Sequence, residues 1–115
     1  MNTKSIYDTV VLRSPCSHNQ FLTYLDSTVR SLCALYKKNY VITKDNVWGV
    51  PVSINSDIPV YDEYFTAVCS NILYLLTGDT DRKTEFVAES DSAYLAVWSE
   101  KSSSKRFVDR GYSDV

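Results

Sequence analysis

The chain reads as a mainly α protein: a small bundle of about four helices, interrupted by a two-stranded β-ribbon and finished by an extended C-terminal arm. Three observations carry that class. Apolar residues recur at steps of three and four along residues 18–38 and 59–101, which sets them on one face of a helix. Over residues 40–54 the period changes and β-branched residues cluster. After Trp98 the apolar pattern stops, and serine and basic residues take over. We divide the chain into a helical domain, residues 1–101, and a flexible arm, residues 102–115.

Residues 4–13 suit a short helix or a strand; with Ile6, Val10 and Arg13 on one helical face we read a helix. Ser14-Pro15 ends it, because the residue before proline avoids the α region. Ser17 and Gln20 then have the spacing of a capping box. Leu22, Leu25, Val29, Leu32 and Tyr36 follow at alternating steps of three and four, widened by Phe21, Thr28 and Leu35. The ribbon is read as Tyr40–Thr43 and Val47–Ile54 about a turn at Lys44-Asp45-Asn46, with Pro51 confining the second strand to an edge.

From Pro59 the spacing predicts a helical hairpin. Tyr61, Tyr64, Phe65, Val68, Ile72, Leu75 and Leu76 form the first stripe; Phe86, Val87, Tyr94, Val97 and Trp98 form the second. Gly78 in the Thr77-Gly78-Asp79-Thr80 turn supplies a left-handed helix end, and Asp79 or Thr80 caps the next helix. A turn this short makes the helices antiparallel, so the stripes meet. Phe65, Val68, Ile72, Phe86, Tyr94 and Trp98 are expected to pack on Leu25, Val29 and Leu32. The arm, alone, buries too little apolar area to offset the entropy of ordering it, about 1–2 kcal/mol per residue.

Composition narrows the function classes. With 115 residues, 44% of them hydrophobic, the chain fits one domain with a modest core. A net charge of −2 gives no global pull toward nucleic acid or a membrane surface. No run has the ~18 apolar residues of a membrane span, and the first residues lack a signal-peptide core, so an intracellular protein or assembled particle is expected. Cys16, Cys33 and Cys69 are odd in number and far apart. Cys16 with His18 makes at most half a metal site, and His18 is the only histidine, so neither a metal nor a disulfide is expected.

The sequence also lacks the apparatus of catalysis. Three glycines form no phosphate loop, and the sole histidine falls in an exposed first helical turn. Asp62 and Glu63 are adjacent and do not share a helical face; Glu85 and Glu89 do, as a solvated face does. No enzymatic activity and no cofactor are expected. Nine tyrosines, by contrast, exceed what a small core absorbs, and tyrosine is enriched at protein interfaces. The arm's Lys105, Arg106 and Arg110, with Phe107, Val108 and Tyr112 among them, are candidate docking residues; Tyr40, Val47, Trp48 and Val50 of the ribbon are candidate subunit contacts.

The order of these elements resembles the head-to-tail adaptor (connector) proteins of tailed bacteriophages. The residues that carry the resemblance are an Ile-Pro-x-x-Asp-Glu-Tyr helix start (Ile58 to Tyr64), the Thr-Gly-Asp turn (Thr77 to Asp79) and the Ala-Tyr-Leu-Ala-Val-Trp helix (Ala93 to Trp98). The resemblance implies a structural virion protein of the phage neck. It would form a homo-oligomeric ring, typically twelvefold, beneath the portal protein, receive the next neck or tail component, and let DNA pass through its channel without sequence-specific binding. It also implies that the C-terminal arm docks on the portal. The other reading of the same features is a small helical protein–protein interaction module, regulatory or chaperone-like, with no catalysis.

Overall fold

A computed structural model describes residues 1–36, 42–44, 48–49 and 53–113, giving for 101–113 the course of the backbone alone. Four α-helices follow one another: α1 (Thr3–Arg13), α2 (His18–Tyr36), α3 (Phe65–Thr77) and α4 (Thr80–Ser113). Each start is built from a nearby polar side chain or a tight turn. The Asn2 side chain accepts the Ser5 N–H at 2.9 Å to begin α1, and Ser17 Oγ accepts the Gln20 N–H at 3.1 Å to begin α2. Extended Ser14 closes α1, its N–H returning to the Val10 carbonyl at 2.9 Å.

The hairpin forms as its turn sequence requires. A 3-10 turn, Asp62–Tyr64, leads into α3. Gly78 ends α3 at φ 75°, in the left-handed region where a Cβ is costly, and its N–H reaches the Tyr74 carbonyl at 2.7 Å. Of the two candidate caps, Asp79 takes the role, its Oδ1 accepting the Asp81 N–H at 3.0 Å.

α3 is the centre of the bundle and touches α1, α2 and α4. Seven consecutive residues, Ala67 to Leu73, are buried, so this helix is covered nearly all round. Around it lie Ile6 and Val10 of α1, Phe21, Leu25, Val29 and Leu32 of α2, and Phe86, Ala93 and Val97 of α4. Two polar residues of α3 are matched: Asn71 Nδ2 donates to Thr28 Oγ1 at 2.8 Å, and Ser70 Oγ donates to Glu89 Oε1 at 2.6 Å. Burial without that matching would cost about 1–3 kcal/mol for each group.

Several expectations change. Phe65, Tyr94 and Trp98 are only partly buried, packing at the core's margin, while Leu35 and Val87 are exposed. The two-stranded ribbon does not appear among the described residues. Instead Thr43 bridges Val60, with the Lys44 N–H on the Pro59 carbonyl at 2.7 Å, and Ile42 and Thr43 are buried. Two β-branched residues here fill the core beneath the segment that starts α3. Of the predicted ribbon tip, Lys44 to Val47, only Lys44 lies within the described residues.

The expected break after Trp98 is also corrected. α4 continues to Ser113, a helix of 34 residues and about 51 Å against about 20 Å for α3. No proline interrupts 80–113, its one glycine, Gly111, falls in the last turn, and serine in a helix costs less than about 0.7 kcal/mol relative to alanine. The arm is thus a helical extension rather than an extended strand, and the molecule's long dimension is 55 Å.

Candidate functional site

The surface residues are best placed from the helices outward. His18 is exposed on the first turn of α2, its ring nearly perpendicular to that of Tyr7 at 4.9 Å between centroids. Cys16 and Cys33 are half-buried, Cys69 is buried, and all three are free thiols. Burial pushes the Cys69 thiol up to about 12, with the Glu89 carboxylate adding to the rise. A thiol held so firmly protonated is a poor nucleophile. Among the described residues no three His, Cys, Asp or Glu side chains gather to hold a metal ion, and no helix is long and apolar enough to cross a membrane.

The tyrosines serve the fold more than the composition suggests. Every one whose side chain is described is buried or half-buried. Tyr64 is wholly enclosed, and desolvation raises its phenol well above the usual range. Tyr36 stacks on Tyr94 at 4.4 Å and donates to Asp91 Oδ1 at 2.6 Å, tying the end of α2 to α4; burial and that carboxylate raise its phenol too. Tyr7 donates to the Cys16 carbonyl at 3.2 Å. Tyr74 lies under the Lys83 ammonium, 5.3 Å from the ring centroid.

The acidic residues of α4 do not make one free face. Glu89 and Asp91 accept hydrogen bonds from α3 and α2, Glu85 pairs with Arg82 at 3.0 Å, and Asp81 sits in the first turn. Of the four ribbon contacts, Trp48 alone is described. It is half-buried against its own core, and its Nε1 donates to Asp26 Oδ1 at 2.8 Å, the carboxylate that also holds Arg30. Tyr40, Val47 and Val50 lie outside the described residues. Lys105, Arg106, Phe107, Val108, Arg110 and Tyr112 fall on the helical extension of α4, where the backbone alone is described.

A surface feature that periodicity does not single out lies where α4 passes the start of α3. An open groove of about 380 Å³ runs between Glu63 and Thr66 on one side and Ala88, Glu89, Ser92, Ala93 and Ala96 on the other. Its floor is flat because Ala88, Ser92 and Ala96 recur every fourth residue, a spacing visible in the sequence. Comparison of the chain with protein-family models, with curated proteins and with solved structures returned no match.

Proposed function

We propose that this chain is a structural protein of the tailed-phage neck, a head–tail adaptor that sits as a ring between the portal and the next tail component. The observation that carries the reading is the length of α4, which outruns the bundle it belongs to. Its last described buried residue is Val97, and positions 98–113 continue beyond it. A helix that runs on past its bundle is a means of reaching a partner. The order of elements lends some support: a capped α2, the Ile58–Tyr64 helix start and a tight hairpin stand in the order in which the resemblance has them, without its ribbon.

In this function the bundle is the rigid body of the subunit, and the extension makes the contact with the portal. Phe107, Val108 and Tyr112 supply apolar anchors, while Lys105, Arg106 and Arg110 improve encounter and register with an acidic partner surface. DNA passes the assembly without being read. The test is capture of the purified portal protein from the same genome by the full chain and by residues 1–101, with thermal melts of both. Truncation is expected to abolish capture and to leave the melting temperature nearly unchanged. Capture at full strength by residues 1–101 would overturn the role given to the extension.

A further inference from the structure

We infer that the Met1 nitrogen must be a free amine for the fold to close, so that hydrolysis of any acyl group it carries is the step that matures this chain. The Met1 ammonium donates to the Ile58 carbonyl at 2.9 Å and to the Val60 carbonyl at 3.3 Å, with Asp62 Oδ1 at 3.4 Å. The Ile58 N–H returns to the Met1 carbonyl at 2.9 Å. Ile58 is 3% exposed and Val60 0%, so neither carbonyl can turn to water for a replacement donor.

The segment that receives the amine is held on both edges. On one, Thr43 bridges Val60 and the Tyr61 N–H meets the Ile42 carbonyl at 3.2 Å. On the other, Asn2 bridges Asp57, next to the bonded pair of Met1 and Ile58. Asn2 is also the residue whose side chain caps α1. Docking of the amine therefore fixes the entry of α1, which carries Ile6 and Val10 into the core.

A free ammonium brings several hydrogens and a positive charge, so it serves two carbonyls and faces the Asp62 carboxylate at once. An acylated nitrogen is a planar amide with one hydrogen and no charge. It can serve one carbonyl and leaves the other, in a buried residue, without its donor. A formyl group and a preceding stretch of chain act alike here, because each bonds the nitrogen as an amide. Hydrolysis frees it in both cases: the acyl C–N bond breaks, the oxygen of water stays on the acyl carbon as carboxylate, and the hydrogens of water complete the ammonium.

Ligation of a synthetic 1–32 peptide to residues 33–115 at Cys33 gives the full chain with a chosen group on that nitrogen. Four forms are compared by urea titration: the free amine, the formyl amide, a chain with Gly-Ser ahead of Met1, and a chain with hydrogen in place of the amine. The formyl and Gly-Ser forms separate the two sources of acyl group, and the amine-free form separates lost bonds from added bulk. Each of the three altered forms should lose at least about tenfold in its folding equilibrium constant against the free amine. Exchange of the Ile58 amide, which donates to Met1, should quicken with each loss. A formylated or extended chain as stable as the free amine overturns the inference. So does an amine-free chain that keeps full stability, or a loss that leaves Ile58 exchange unchanged.

Discussion

Leu32→Ala is the sharpest probe of the packing on which the rest depends. Leu32 is 0% exposed on the inner face of α2, while Leu35, on the next turn, is 51% exposed. Truncating Leu32 removes three carbons, worth about 0.8 kcal/mol each in transfer alone, or roughly 2.4 kcal/mol. The cavity left in a core that cannot fully collapse brings the expected loss to about 2–5 kcal/mol. That is a large share of a small domain's total stability, about 5–15 kcal/mol. Leu35→Ala deletes the same atoms from a half-wet site and should cost less than about 1 kcal/mol. Urea titration followed by far-UV circular dichroism measures both, and an unchanged slope shows that the unfolded state is the same. If Leu32→Ala costs less than about 1 kcal/mol, or if the two substitutions cost the same, α2 does not turn its Leu32 face toward α3.

Other outcomes follow from single contacts. Gly78→Ala places a Cβ at φ 75° and should destabilise by about 1–2 kcal/mol in the same titration. Asp26→Ala removes the acceptor of Trp48 Nε1, so Trp48 emission in a Trp98→Phe background should shift to the red, with no shift if the indole is held by packing alone. The Cys69 thiol, ordinarily titrating near 9 and raised to about 12 in the fold, stays protonated when the unfolded chain's thiol ionises. Its contribution is whole below about pH 9 and is lost as pH rises toward about 12, so stability should fall with pH there, less steeply in Cys69→Ala. Replacing Phe107 and Tyr112 together with alanine should weaken portal capture strongly without changing the melt.

The parts of the fold legible in the sequence are those with local physical causes. Ser17, Gly78 and Asp79 act over three or four residues of backbone, and each does in the structure what its chemistry requires. What is not legible depends on tertiary burial. Ile42 and Thr43 have strand propensity, yet the core beneath residues 58–61 claims them. Periodicity gives α3 one apolar stripe, although Phe65–Thr77 contains no charged residue, which is the mark of a helix enclosed on all sides. The serines after Trp98 suggest a helix stop because they break the apolar pattern, but serine imposes none, and α4 runs on through Gly111. The tyrosine count points to an interface; Tyr36, Tyr64 and Tyr94 show that a small bundle can absorb tyrosine by stacking and by inter-helix hydrogen bonds.

The groove is visible in the sequence only as the repeat Ala88, Ser92, Ala96. What gives that repeat meaning is the neighbouring start of α3, which sets Glu63 and Thr66 across from it. That adjacency is a property of the hairpin rather than of α4.

The proposed adaptor function meets its most direct test in the mass of the species formed when the full chain is mixed with purified portal ring, read by native mass spectrometry. The account predicts a complex heavier than the portal by a whole ring of copies of this chain, with no partly filled intermediates dominating at excess. A portal ring whose mass is unchanged at any excess of the chain would contradict it.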